Sequence, residues 1–472
     1  MKKDKQNYNT KILIICSILF EIIVYILTSY INGEQRIILP IIFLYYLIAL
    51  LFINKNKKNN ILYIIFGIAI IIRTIYILDT NIYTRQHDIG RLTSNGHLAY
   101  IYTLFQTHHL PLTNKWQFYH PPLWHIIGAL WLYINSFLHI NLYQSLEGLQ
   151  ILTLLFSSYI VLIVDKINIK LKLNNKSRYL IDTIFAVHPT MIYLSGSINN
   201  DCLLLLLESL IILLLINFYE NQTWKNTIYL AIITGLCVMT KINGAVMAIP
   251  ILYVFIERFV YILKNKKKTL KSYILKIITF GLISLPIGLW YQVRNMIKFS
   301  SVKVPEPGDW LYTGNHSILS RFFAINFHEL FNYANMDNDY NLPSFIIKSS
   351  LFGEYTYYNF NTLTKIMLLL NIALVIISII FIIKYIIKER KNKYINALLI
   401  TWISFIVSMY FFNYKYPFAC SMDFRYIAIC LLPGIIMIGY GIDKLKKDRF
   451  KKLIELLCFI FIITDIIFIF IF

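Results

Sequence analysis

The chain has 472 residues, is 58% hydrophobic and 16% aromatic, and has a mean hydropathy of +0.61, which excludes an ordinary soluble domain. A formal net charge of +21 would suit nucleic acid, but the lysines fall in short blocks between long apolar runs. That is the positive-inside pattern of a protein threaded through a bilayer, and it excludes nucleic acid as the partner.

Basic blocks at 2–5, 55–58, 166–178, 264–271, 384–393 and 444–452 fix the cytoplasmic side. The apolar run from Ile12 is long and lacks a small-residue cleavage site, so it reads as a retained first helix. The path then runs 12–32 outward, 37–53 inward and 61–79 outward, delivering 85–125 to the outer face. Residues 123–137 carry His125, Trp131, Tyr133 and Asn135 and are expected to lie in the interface, as is a second helix over 97–109. Crossings follow at 145–165, 179–195, 202–218, 227–240, 244–263 and 273–293. After a second outer stretch, 294–361, come 363–387, 394–412, 424–440 and 453–472. The expectation is an all-α polytopic bundle of about thirteen membrane helices, N-terminus inside and C-terminus outside. Five parts follow: helices in 1–80, an outer catalytic loop in 81–144, helices in 145–293, a second outer loop in 294–361, and helices in 362–472. The six cysteines show no CxxC or other metal spacing and read as packing residues.

The stretch 85–125, RQHDIGRLTSNGHLAYIYTLFQTHHLPLTNKWQFYHPPLWH, stands out between the apolar runs. It holds six of the ten histidines and one acidic residue, Asp88. A loop that only joined two helices would need a few residues, so this one reads as a working part. Asp88, beside His87 and followed by Gly90 and Arg91, is the candidate proton acceptor for an attacking hydroxyl; the plain alternative is a solvated or helix-capping aspartate.

Further motifs sit at outer helix ends. Tyr119-His120-Pro121-Pro122 begins the interfacial helix and sets His120 where it could meet a phosphate, although two prolines stiffen a turn regardless. Asn199-Asn200-Asp201 can bond a sugar or cap the next helix. Lys241, in Thr240-Lys241-Ile242-Asn243-Gly244, lies at an outer end against the charge bias and wants an anion, unless it snorkels. Arg294 closes a span in Trp290-Tyr291-Gln292-Val293-Arg294-Asn295, Arg425 opens one in Asp423-Phe424-Arg425-Tyr426, and Arg321 lies in the second outer loop. Arg294, Arg321, Arg425, Lys241 and His120 thus form the candidate phosphate-binding set. Arg91, Asn199, Asn200 and Tyr119 are the candidate acceptor or sugar contacts.

The order and spacing of HDIG, NGH, YHPPL, the HP–SG–NND turn, TKxNG and WYxxRN resemble the GT-C class of polytopic glycosyltransferases. The likeness is to the group containing protein O-mannosyltransferases and lipid A aminoarabinose transferases, of the family 39 type, and it is strongest over 80–300. The resemblance implies a GT-C-like bundle and transfer of a sugar from a polyprenyl-phosphate donor to a glycan, lipid or protein acceptor, outside the cytoplasmic membrane and with inversion. It places the base or acceptor-orienting group at Asp88, with His87 tuning it, and a second acidic residue at Asp201. No cofactor is expected, and the ligand spacing does not support a divalent metal ion. The chain departs from the family at His120, where relatives carry lysine, and at His87, where they carry an acid.

Two other classes compete. A transporter or flippase of lipid-linked glycans would place polar groups at mid-membrane and show internal repeats; this chain concentrates polar groups at outer ends and shows no repeat. A metal-dependent enzyme would need ligand spacing, and neither HxxxH nor HExxH occurs.

Overall fold

Long runs of isoleucine, leucine and phenylalanine become helix because a bilayer offers backbone groups no other partner. The computed structural model describes residues 2–30, 46, 50, 60–113, 115–299, 308–331, 339–355 and 361–471. Among them there is no β-strand, only isolated bridges between Arg91 and Asn95 and between Tyr312 and Phe418.

The first part contains α1 (Lys2–Tyr30) and α2 (Asn60–Asp79). The long loop carries α3 (Gly96–Thr107) and α4 (Leu123–Phe137). Then come α5 (Leu142–Glu147), α6 (Leu149–Lys170), α7 (Asn175–Val187), α8 (Pro189–Gly196), α9 (Asp201–Glu220), α10 (Trp224–Thr240), α11 (Ala248–Asn265) and α12 (Leu270–Phe299). Short helices α13 (Ile318–Phe322), α14 (Phe327–Leu330) and α15 (Leu342–Phe352) occupy the second loop. The chain ends in α16 (Asn361–Lys388), α17 (Lys393–Lys415), α18 (Leu431–Lys444) and α19 (Asp448–Ile471).

Ten helical stretches among the described residues are long and apolar enough to cross a bilayer. The expected thirteen included three that are not among these ten. The span at 37–53 lies outside the described residues apart from Tyr46 and Leu50. The span at 179–195 is cut at Pro189 into α7 and α8, and α10 has 17 residues. Helix α4, at 15 residues, is apolar but short, as the sequence pattern suggests.

The Pro189 break is closed by a buried arginine. Proline has no N–H to give to the carbonyl four residues back. Arg73 of α2 bonds the Ala186 carbonyl at 2.7 Å and the Phe185 carbonyl at 3.3 Å, and its Nε bonds Ser157 Oγ at 2.9 Å. A charge inside the membrane region thus ties α2, α6 and α7 together where the turn toward the site begins. Helices α10 and α12 cross closely because Gly235 and Gly288 leave room: a Cβ at Gly235 would lie 2.7 Å from Ile287.

The two ends of the bundle differ. One gathers the ion pairs Lys170–Glu220, Lys176–Glu455, Lys393–Glu257 and Lys444–Glu389. The other gathers both long loops, the ends of α2, α10 and α17, and the starts of α6 and α9.

Candidate functional site

The first loop is closed on itself by backbone bonds. His97 N–H donates to the Asp88 carbonyl (3.1 Å), Leu98 N–H to Ile89 (3.0 Å), Arg91 N–H to Asn95 (3.1 Å) and Gly96 N–H to Trp116 (3.1 Å). Gly90 and Gly96 have φ of +68° and +85°, and a Cβ on either would fall within 2.4 Å of the other strand's backbone. Only glycine fits both places. Asp88 itself has φ +56°, an uncommon conformation for a residue with a side chain. The neighbouring Gln86 clasps the turn after α8: its Nε2 bonds the Gly196 carbonyl (2.7 Å) and its Oε1 accepts from Ile198 N–H (2.8 Å). The loop is thereby fixed against the start of α9, where Asp201 sits.

Arg425 is the centre of the site. Its Nη2 bonds Asp88 Oδ2 at 2.9 Å, its Nη1 bonds Asp201 Oδ2 at 3.0 Å, and its Nε lies 3.4 Å from Asp423 Oδ2. Lys241 takes the other oxygen of Asp201 and lies 4.8 Å over the Tyr426 ring. Asn243 holds that strand by bonding the Tyr426 carbonyl at 2.7 Å. Two cations and three carboxylates therefore interlock, brought from the first loop, α9, the Lys241 turn and the stretch before α18. Burial alone would raise the Asp88 carboxyl, but the Arg425 guanidinium outweighs it and holds Asp88 below the usual carboxylate range. Its side chain keeps 26% exposure.

That exposure is to two spaces. One is a cavity of about 420 Å³, with Asp88, Trp116, Tyr119, His120 and Lys241 at its polar end. Apolar side chains, among them Ile242, Val246, Met409, Phe411 and Phe412, line much of the rest of it, and Lys415 lines it too. The other is a polar cleft lined by Asp88, Gly90, Arg91, Ser94, Asn95 and Trp116. Asp88 and Trp116 belong to both, so the carboxylate stands at the partition between them.

Behind His120 is a stack of buried imidazoles. His97 Nδ1 lies 2.9 Å from His125 Nε2, the His97 and His120 rings stack at 5.5 Å, and Tyr100 stacks on His125 at 3.9 Å. Burial pushes His97 down to about 4, and it pushes His120 well below its ordinary value with Lys241 adding to it. His120 is neutral, so toward a phosphate it is a hydrogen-bond donor without charge.

Several candidates from the sequence stand elsewhere. Arg294 bonds the Pro111 carbonyl at 2.7 Å and Asn295 at 2.8 Å, and it does not line the cavity. Arg321 is buried against the Asn413 carbonyl at 2.7 Å. Both arginines satisfy orphan carbonyls instead of converging on the site. Asn199 Oδ1 accepts from Asp201 N–H (3.0 Å), and Asn200 Nδ2 bonds the Thr240 carbonyl (3.1 Å); neither lines the cavity. His87 faces Glu354, Asp423 and Tyr355, away from the cavity. Arg91 is exposed in the polar cleft, and Tyr119 bonds Gln117 at 3.3 Å at the cavity wall. Sequence reasoning passed over Asp423, Tyr426, His97 and Lys415. The Asp-Phe-Arg-Tyr motif already held the first two; nothing local distinguishes Lys415 from other lysines at helix ends.

Residues 120–290 match the dolichyl-phosphate-mannose-protein mannosyltransferase family. No curated protein matches the chain in sequence. Among solved structures, the Archaeoglobus fulgidus oligosaccharyltransferase tethered to an acceptor peptide containing the NVT sequon superposes with a TM-score of 0.51 at 14% identity, over 87% of this chain and 55% of that one. The archaeal oligosaccharyltransferase AglB from the same organism, in complex with an inhibitory peptide and a dolichol-phosphate, gives 0.50 at 12% identity, over 85% and 55%. ArnT from Cupriavidus metallidurans bound to undecaprenyl phosphate gives 0.37 at 11% identity, over 81% and 78%. The chain thus spans little more than half the length of the oligosaccharyltransferases it superposes on. The resemblance read from the motifs is borne out: this is a multi-pass, all-α membrane protein of the GT-C glycosyltransferase fold, similar over 120–290 to the dolichyl-phosphate-mannose-protein mannosyltransferases.

Proposed function

We propose that the chain is a membrane glycosyltransferase that moves a sugar from a polyprenyl-phosphate donor to an acceptor hydroxyl at the outer face of the membrane. The observation that carries this reading is the position of Asp88 between an apolar-walled cavity and a polar cleft. The cavity suits a carrier whose chain lies along Met409, Phe411 and Phe412 and whose phosphate meets Lys241 and the neutral donor His120. The cleft beside Arg91 suits the acceptor, whether glycan, lipid or protein. Arg425 keeps Asp88 ionised, so the carboxylate accepts the hydroxyl hydrogen bond and takes the proton as the new C–O bond forms. The bond from the anomeric carbon to the phosphate breaks on the opposite side, its electron pair leaving with the carrier phosphate, and the configuration inverts. Lys241, released in part from Asp201, stabilises the leaving phosphate.

The family match and the superposed structures support the reaction class, and the family's lipid-phosphate donors support the carrier. Asp88→Asn keeps shape and removes charge. Transfer should fall by at least about 100-fold while carrier binding persists. Lys241→Ala should act mainly through KM, as loss of a ground-state contact does. Full transfer by the asparagine variant, measured with radiolabelled lipid-linked sugar, would remove the base from the scheme.

A further inference from the structure

Beside the Arg425 network lies a cluster the transfer reaction does not use. His87 Nδ1 is 3.3 Å from Glu354 Oε2 and 3.8 Å from Asp423 Oδ2, and all three atoms lie within 4.8 Å of one another. The other ring nitrogen fixes the tautomer. Tyr355 has one hydroxyl proton and gives it to the Arg85 carbonyl at 2.5 Å, a group that can only accept. His87 Nε2, 2.8 Å from the same hydroxyl oxygen, must therefore be the donor to it. In that tautomer the Nδ1 lone pair turns toward two carboxylates. Their cationic neighbour Arg425, with Nε 3.4 Å from Asp423 Oδ2, has its other nitrogens on Asp88 and Asp201, which leaves room for a further cation on the Glu354 side.

A charged imidazolium–carboxylate bond draws in to about 2.7–2.9 Å, whereas the nearer contact is 3.3 Å and the other 3.8 Å. A metal ion fits better: with bonds of about 2.0–2.1 Å to nitrogen and oxygen, neighbouring donors of a tetrahedral ion stand roughly 3.4 Å apart. Two further observations point into the cluster. Asp423 is fully buried, and its Oδ2 makes no hydrogen bond. Its Oδ1 is spent on Arg425 N–H at 3.0 Å, so only Oδ2 faces the cluster. Glu354, with 29% exposure, leaves a path from solvent.

We propose that His87, Glu354 and Asp423 bind a divalent transition-metal ion, zinc being the best match to one imidazole and two carboxylates. The Tyr355 hydroxyl serves as the outer partner that orients the histidine. The three ligands come from the first loop, the end of the second loop and the stretch before α18, so the ion staples both loops to the bundle behind Asp88. By taking charge from Asp423 it also leaves Arg425 to Asp88 and Asp201. The site stands whether or not the chain is a transferase.

The test uses the full chain in detergent, stripped with EDTA, desalted and titrated with zinc chloride, with magnesium chloride as control. Wild type should retain one equivalent of zinc by elemental analysis and gain thermal stability from it, with magnesium giving no comparable gain. Glu354→Gln should fold, being no less stable than wild type in EDTA because one carboxylate facing the lone pair is gone. It should bind zinc at least about ten-fold more weakly. Wild type that takes up no stoichiometric zinc overturns the site without reference to any variant. Zinc binding as tight in Glu354→Gln as in wild type overturns it equally.

Discussion

A single guanidinium sets the protonation state of the candidate base. Asp88 is pulled upward by burial and downward, more strongly, by Arg425 2.9 Å away. A carboxyl held below its ordinary range stays ionised as pH falls, so the acid limb of transfer should lie on the low side of the usual carboxylate range. In Arg425→Lys the charge remains but the fork that holds Asp88 and Asp201 together is lost. Asp88 should then protonate at higher pH, and the acid limb of the kcat/KM profile should move upward. An unmoved limb would mean that Arg425 does not govern Asp88. The same residue shows where the sequence stopped being informative. Asp88 and Arg425 are 337 positions apart, so no local pattern could pair them. Arg294 and Arg321 looked equivalent to Arg425, yet their guanidiniums meet backbone carbonyls, a matter of side-chain direction that helix-end position does not reveal.

At the scale of elements, much was legible. Hydropathy and lysine blocks located the long helices, and the YHPPL motif located the start of α4, because prolines act within a few residues. The closure of the first loop was not legible, since it depends on Gly90 and Gly96 packing backbone to backbone. That closure is testable. Gly96→Ala must put a methyl 2.4 Å from Gly90 Cα in a conformation that disfavours alanine, and should cost about 1–3 kcal/mol. Because the loop holds Asp88, transfer should fall with it. Gly281→Ala in α12 meets nothing within 4 Å and should leave stability unchanged or raise it by up to about 1 kcal/mol. Thermal midpoints of the two variants in detergent compare them directly; equal values would show that the loop is not held as described.

For the whole molecule, the segregation of lysine pairs at one end and the site at the other implies a fixed orientation in the membrane. The lysine-rich end should be cytoplasmic. Thr93 in the first loop and Lys446 after α18 are both exposed and mark opposite ends. Cysteines placed there should be labelled by an impermeant reagent from opposite sides of sealed vesicles; labelling of both from one side would invert or break the topology.

The apolar wall formed by Met409, Phe411 and Phe412 has a kinetic meaning if the carrier lies along it. Such a substrate never passes through bulk water on its way in, so the concentration that governs turnover is its density within the lamella. Encounters are two-dimensional. Adding detergent at a constant amount of carrier would dilute the reactant without changing any solution molarity, and an apparent KM written in moles per litre would describe the micelle as much as the enzyme.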